Sequence, residues 1–161
     1  MAYVDEAGFA PQSPNRSAWT QIGETHQALA SRGKRLNVIG AMLSSGRLVM
    51  SQIWESINGL WFYGFLAALK ARVEKRLVVI LDNASFHKSK KMRWYWELLK
   101  EQGVEFYFLP PYSPELNRIE ILWRKMKYEW LPFKHFEAKE LEKAICEIGT
   151  GFGENYNLSF Y

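Results

Sequence analysis

Cysteine is almost missing from this chain: Cys146 is the only one. A lone thiol cannot close an intramolecular disulfide and has no partner thiol for a zinc site, which fits a reducing compartment. Long hydrophobic runs are missing as well. The longest apolar stretch, 57–69, is interrupted by Asn58, Gly59 and Gly64, well short of the ~20 apolar residues of a membrane span. It reads instead as a core helix. No charged, apolar leader precedes Tyr3, so no signal peptide is expected. Internal repeats, low-complexity tracts and linker-like segments are absent, and 161 residues are expected to form one domain with a proper core. Together these absences exclude a disulfide-stapled secreted scaffold and a membrane-spanning protein.

What is present is apolar and aromatic material, 48% and 16% of the residues, enough to exclude a disordered chain. The net charge of +4 permits a polyanionic partner without demanding one.

The chain is organised around residues 77–83, LVVILDN. Five apolar residues, mostly β-branched, run directly into Asp82, with Lys75 and Arg76 ahead of them. Such a run reads as a strand buried on both faces. A helix is expected over 89–102, so the order is strand, short loop, helix, and in open α/β sheets ligands collect at the carboxyl ends of strands. Taken alone, Asp82 reads better as a loop or cap aspartate, solvated or bonded to nearby backbone N–H groups. Two further acids change that balance.

The first is Asp5. Residues 1–4 form a short apolar run ending in Asp5-Glu6, read as a strand whose end carries Asp5, with Gly8 allowing a turn beyond it. Glu6 would point to the opposite face if the strand continued, and is not counted with Asp5. After a polar loop at 11–16, a short strand is expected at 17–22 and an exposed excursion at 23–34. Two strands at 36–43 and 46–53 are joined by Ser44-Ser45-Gly46, a hairpin signal. A helix at 58–73 leads into the organising strand. Another strand, 104–109, stops at Pro110-Pro111.

Ser113 and Pro114 are then read as N-cap and first residue of a helix running to about Trp130. Its apolar stripe is Ile119, Leu122, Trp123, Met126 and Trp130, and the second acid, Glu120, lies at the boundary of that stripe. Arg124 and Lys127 fall on the same face. The plain alternative is a Glu120–Arg124 surface ion pair, which would contribute under about 1 kcal/mol. A last helix is expected over 136–148, burying Ala138, Leu141, Ile145 and Ile148.

Three carboxylates from separate elements, close to one sheet, suit a hard divalent cation, which takes oxygen ligands and leaves room for water and phosphate. Two such ions can activate a water and stabilise a leaving oxygen in phosphoryl transfer.

The strings DEAGF (5–9), LDNASFH (81–87) and LPPYSPELNRIEILWRKMK (109–127) resemble the catalytic domain of DDE transposases, in the group of mariner-like elements and related bacterial insertion sequences. The resemblance extends over nearly the whole chain. It implies an RNase H-like α/β fold, a mixed five-stranded sheet flanked by helices. It also implies that Asp5, Asp82 and Glu120 are the catalytic, metal-binding triad, holding Mg²⁺ or Mn²⁺ as two ions. Two departures are visible. Arg118 stands where the family commonly has proline, and 37 residues (83–119) separate Asp82 from Glu120, a little more than is common, which implies a longer loop after Lys100.

By the same resemblance Asn83 and His87 match supporting positions, although packing or loop hydrogen bonding serves His87 equally well. Asn117, one turn before Glu120, reads as a positioning or cap-region residue. Lys88, Lys90, Lys91 and Arg93 gather at a helix start, where the dipole disfavours cations. With Arg124 and Lys127 they are the candidate contacts to double-stranded DNA, the implied partner; the alternative is a solvated face. Of Trp94, Tyr95 and Trp96, two rings are expected in the core and one exposed. His26 and His135 carry no assignment.

The implied activity is metal-dependent cleavage and strand transfer in insertion-sequence transposition, within a prokaryotic cytoplasm at the nucleoid, with a homodimer compatible. No helix-turn-helix module is recognisable in the chain. The competing readings are an RNase H-like nuclease acting on hybrids or junctions, and a DNA-binding remnant whose acids no longer work.

Overall fold

The computed structural model describes residues 1–12, 22, 33–83 and 89–158, together with the backbone but not the side chain of Lys91. All of the expected strand at 17–22 except Ile22, and nearly all of the 23–34 excursion, lie outside the described residues, as do His26, His87 and Lys88.

Five strands form one sheet: β1 (Ala2–Phe9), β2 (Leu36–Leu43), β3 (Leu48–Ile53), β4 (Leu77–Leu81) and β5 (Val104–Phe108). Their spatial order is β3-β2-β1-β4-β5. The first three are antiparallel neighbours, whereas β4 pairs in parallel with both β1 and β5. This is the mixed RNase H-like sheet that the sequence implies. The β2–β3 hairpin turns where expected, with Gly46 in the left-handed region at φ 81° and its N–H on the Leu43 carbonyl at 2.9 Å.

Two helices cover one face. Helix α1 (Gly59–Ala71) starts at Asn58, whose side chain accepts from the N–H groups of Leu60 and Trp61 at 3.0 and 3.1 Å. Helix α2 (Lys90–Glu101) starts at Ser89, whose hydroxyl oxygen accepts from the Met92 N–H. Each cap satisfies donors that a helix start leaves open, typically contributing about 1 kcal/mol. Between these helices and the sheet lie Val4, Ile39, Phe62, Leu66, Val79 and Leu99, all essentially inaccessible. Tyr95 and Trp96 join this core while Trp94 is 61% exposed, the division expected from the sequence.

On the opposite face α3 (Ile119–Lys125) lies across β1 and β2, and α4 (Ala138–Thr150) lies along β3. Gln52 Nε2 donates to the Glu142 carbonyl at 3.2 Å, and Trp54 Nε1 donates to the Glu142 carboxylate, tying α4 to the β3 edge. No helix among the described residues covers β4 and β5 on this side, which corrects the reading of β4 as buried on both faces. Leu77, Val79 and Leu81 are buried, but Val78 and Ile80, pointing the other way, are only half-buried. No helix among the described residues is long and apolar enough to cross a membrane.

Three boundaries differ from the sequence reading. Strand β1 does not end at Asp5: Glu6 to Phe9 continue antiparallel to Ile39 through Leu36, and Gly8 stays in the ladder opposite Asn37. The expected helix over 113–130 is broken. A 3₁₀ turn (Pro114–Leu116) is followed by Asn117 in an extended conformation (ψ 97°), α3 begins only at Ile119, and Met126–Trp130 closes the element as a π-helical turn. Ser113 makes no side-chain cap; its hydroxyl is directed to the Pro111 carbonyl. Finally, α4 begins at Ala138 rather than 136, so Ala138 is exposed in the first turn, whereas Leu141, Ile145 and Ile148 are buried as expected.

Candidate active site

The parallel register of β1 and β4 brings the first two acids together. Ala2 pairs with Val79 and Tyr3 with Ile80, and pairing then stops. Two residues further along each chain stand Asp5 and Asp82, level with one another and on the same face as Tyr3 and Ile80, because side chains alternate with period two. Beyond Tyr3 the ladder opens, so the two carboxylates sit where the strands part. Glu120, in the first turn of α3, approaches from the helix that packs on this face.

Asp5 is 8% exposed and is the only charged residue in the core among the described residues. Trp123 Nε1 donates to its Oδ2 at 3.0 Å. Burial, then the negative charge of Glu120, push the Asp5 carboxyl up to about 7. Asp82 adds to the rise, while hydrogen bonds from the Glu6 backbone and the Trp123 indole oppose it. Both of the other acids singled out in the sequence therefore act electrostatically on Asp5. Glu6 behaves similarly: burial, then Asp5 and Asp82, raise its carboxyl to about 8. Strand alternation nevertheless directs it to the α1–α2 face, as expected.

Asp82 and Glu120 also line one cavity of about 360 Å³, together with Asn83, Asn117 and residues of the 109–114 loop. Asp82 is half-buried and Glu120 exposed. No ion pair joins Glu120 to Arg124 among the described residues, so the plain surface-pair reading does not hold. Nor does any group of three His, Cys, Asp or Glu side chains among the described residues stand close enough to hold one ion. The acids meet pairwise, through Asp5 and through the shared cavity. Their donor set, oxygen only and mutually repulsive, nonetheless suits a hard divalent cation, which is commonly held by one or two carboxylates with water and phosphate completing the shell.

The supporting positions divide. Asn83 is half-buried at the cavity wall. Asn117 is 1% exposed, and neither its Oδ1 nor its Nδ2 has a hydrogen-bond partner among the described residues. It does not cap α3 with its side chain; only its backbone carbonyl does so, accepting from the Glu120 N–H at 2.9 Å. Lys90 and Arg93 are exposed on the first turn of α2, and Arg124 is exposed on α3. Lys127 is half-buried, with its ammonium 5.4 Å from the centre of the Phe9 ring, so it also has a packing role.

The sequence reading missed two residues of this site. The apolar periodicity places Trp123 on the buried stripe alone, although a buried indole N–H needs an acceptor and the spacing from Glu120 sets both on one helix face. Gly40 pairs with Asp5 across β1 and β2. A Cβ there would lie 2.6 Å from Cη2 of Trp123 and 3.1 Å from Cδ1 of Ile119. Its missing side chain lets the indole reach the carboxylate.

An RNase H-like sheet carrying acids on two adjacent parallel strands and an overlying helix defines a class of nucleic-acid-processing catalytic domains. The chain belongs to the DDE superfamily endonuclease family, whose model matches residues 1–142. Among curated relatives, an uncharacterized protein, y4pE/y4sA of Sinorhizobium fredii (strain NBRC 101917 / NGR234), is 37% identical over 60 residues, covering 37% of this chain and 40% of that protein. The Mos1 mariner paired-end complex with Mn superposes with a TM-score of 0.75 at 20% identity, over 96% of this chain and 49% of that one. The catalytic domain of Mos1 mariner transposase gives 0.68 at 15% identity, over 96% of this chain and 72% of that one. The catalytic core domain of BIV integrase gives 0.54 at 15% identity, over 80% and 82%. The chain thus spans under half the length of the Sinorhizobium protein and of the Mos1 chain in its paired-end complex.

Proposed function

We propose that this chain is the catalytic domain of a transposase-type endonuclease, in which Asp5, Asp82 and Glu120 hold two Mg²⁺ or Mn²⁺ ions and cleave and join double-stranded DNA. The observation that carries the reading is the convergence of Asp82 and Glu120 on one cavity beside Asp5, whose carboxyl is raised by burial first and then by the charges of those two acids. A site that concentrates negative charge from three separate elements is stabilised by a cation more than by any single hydrogen bond. The Mos1 complexes with Mn and with Mg support divalent ions as the cofactor, and those with transposon ends support DNA as the partner.

When bound, the metal ions would supply charge neutralisation and polarisation at the scissile phosphodiester. The chain's own residues do the rest. Asp82, past the end of β4, and Glu120, on α3, face one cavity and would hold the ions there, leaving the phosphate to complete the ions' shell at its mouth. Asp5 anchors the site to the sheet, fixed by the Trp123 indole. The nucleophile, a water or a DNA 3′-OH, enters from the open side, where the β4–β5 half of this face carries no helix among the described residues. Lys90 and Arg93 at the start of α2 contact the backbone leading into the site. The whole chain acts as a single catalytic domain in the prokaryotic cytoplasm at the nucleoid, in insertion-sequence transposition, with a homodimer joining two element ends.

Nicking of supercoiled DNA tests the reading. The parent should nick with Mg²⁺ or Mn²⁺ and not with chelator. Asp82→Asn keeps the shape but removes a charge, so nicking should vanish while the fold and its melting temperature in metal-free buffer are retained or improved. Undiminished nicking by pure Asp82→Asn would place the chemistry elsewhere.

A further inference from the structure

We propose that the open edge of β3 and the apolar groove beside it form a homodimer interface, filled by the same edge and groove of a second copy of this chain. This gives the homodimer proposed above a surface, and it stands whether or not the acids are catalytic. Strand β3 is the terminal strand of the sheet among the described residues, and its six residues, LVMSQI, contain no charge and no proline. Natural edge strands are commonly guarded by such residues against pairing with another chain. The opposite edge follows that rule: β5 carries Glu105, joined to Arg76 at 2.8 Å.

The helix beside that edge is equally unguarded. Helix α1 has one charged residue, Lys70, among its 13, a composition that belongs to a helix covered all round. Yet Leu60 is 59% and Trp61 41% exposed. With Phe65 and Ala68 they flank a groove of about 600 Å³, walled on its other side by Val49 and Ser51 of β3. Strand alternation turns Val49 and Ser51 towards α1, while Gln52 faces α4. Groove and open edge are therefore one continuous surface. An antiparallel edge is self-complementary under a two-fold axis, so a second copy presents the same surface in return. Pairing centred on Ser51 sets Val49 against Ile53 of the second copy and lays the two α1 helices antiparallel, with Leu60 and Trp61 closing both grooves. It also brings Arg47, exposed just ahead of β3, to Glu55, exposed just beyond the end of β3 in the second copy, and symmetry repeats the contact. That charge match selects a second copy over an unrelated partner. The two-fold uses both β3 edges, so assembly stops at the dimer.

Sedimentation velocity of the whole chain in metal-free buffer tests the surface without cutting DNA. The parent should run as a dimer at micromolar concentration, and hydrogen exchange should protect the β3 amides more in the dimer than in the dilute monomer. Trp61→Lys, Arg47→Glu and Glu55→Arg all change exposed side chains, so each should keep the circular dichroism of the parent. Each should also weaken association roughly tenfold or more, because a charge enters the groove or like charges meet at both ends of the pairing. The double variant Arg47→Glu, Glu55→Arg should dimerise like the parent, since both contacts return with their signs exchanged. The proposal is overturned if the parent stays monomeric, whatever other protein the groove then accepts. It is overturned equally if Trp61→Lys dimerises unchanged, or if the double variant does not restore what the single reversals remove. Parent protein that dimerises through β3 but never nicks supercoiled DNA would remove the catalytic reading and leave this interface. Parent protein that nicks as a monomer would do the reverse.

Discussion

The indole of Trp123 donates a 3.0 Å hydrogen bond to Oδ2 of Asp5, joining the helix that carries Glu120 to the strand that carries the first acid. This bond stabilises the charged form of Asp5 against burial and the repulsion of its neighbours. Trp123→Phe keeps most of the bulk and removes the donor. Thermal unfolding should report a loss of about 1–2 kcal/mol, and Mg²⁺-dependent nicking should fall more at pH 6.5 than at pH 8.5, because Asp5 then ionises later. Gly40→Ala should reproduce the defect from the other side. Its Cβ would stand 2.6 Å from the indole, and overpacking of this kind costs about 1–3 kcal/mol.

Stability without metal should decline as pH rises. The Asp5 carboxyl moves from an ordinary 3.8 to about 7 and the Glu6 carboxyl from 4.5 to about 8. Between those limits the folded protein binds protons that the unfolded chain has released, so each unit of rising pH favours unfolding. Differential scanning calorimetry in chelator should show the melting temperature falling from pH 5 to pH 8, by the equivalent of a few kcal/mol in order of magnitude. Mg²⁺ should do little at pH 5 and stabilise strongly at pH 8, with protons released on binding. Asp5→Asn should flatten the metal-free slope. A melting temperature that rose with pH in chelator would contradict the burial of these two acids.

How much of this was legible follows from where the determining contacts lie. Strand β4 and the acid just past it were readable because five apolar residues and an acid are local information, and the helix starts near Asn58 and Ser89 and the turn at Gly46 were readable for the same reason. The continuation of β1 through Gly8 was not: it depends on pairing with β2, some thirty residues away. The break at Asn117 was hidden because a serine-proline start followed by Glu115 and Leu116 looks helical in isolation, while the side chain of Ser113 turns back to Pro111. The three acids are marked by the family strings rather than by periodicity. Its second tier, Trp123 and Gly40, needs the packing of α3 across two strands, which no local pattern encodes.

Asn117 is buried with an amide that meets no partner among the described residues. An unsatisfied buried amide costs about 1–3 kcal/mol, and an apolar side chain of similar size removes that cost. Asn117→Leu should therefore raise the stability of the metal-free protein by an amount in this range, measured by urea unfolding. The same variant should nick DNA more slowly, because the amide lies one turn from Glu120 and at the wall it shares with Asp82. A stability gain with full activity would leave Asn117 without a part in the site.

The basic residues on α2 distinguish a backbone contact from a solvated face. Lys90 and Arg93 are both exposed on the first turn, where the helix dipole disfavours them and favours a bound phosphate. If each contacts one DNA phosphate, each releases counterions on binding, and log affinity falls with log salt by about 0.9 per contact on duplex DNA. The double variant Lys90→Ala, Arg93→Ala should flatten that slope by roughly two units and weaken all duplex sequences alike, since phosphate contacts carry no base information. The helix should tolerate the change, because alanine is a strong helix former and an unfavourable charge–dipole contact is relieved. Nicking should fall in proportion to binding and recover at low salt. A double variant whose salt slope matches the parent would return these two cations to the solvated surface and move the DNA path towards Arg124 on α3.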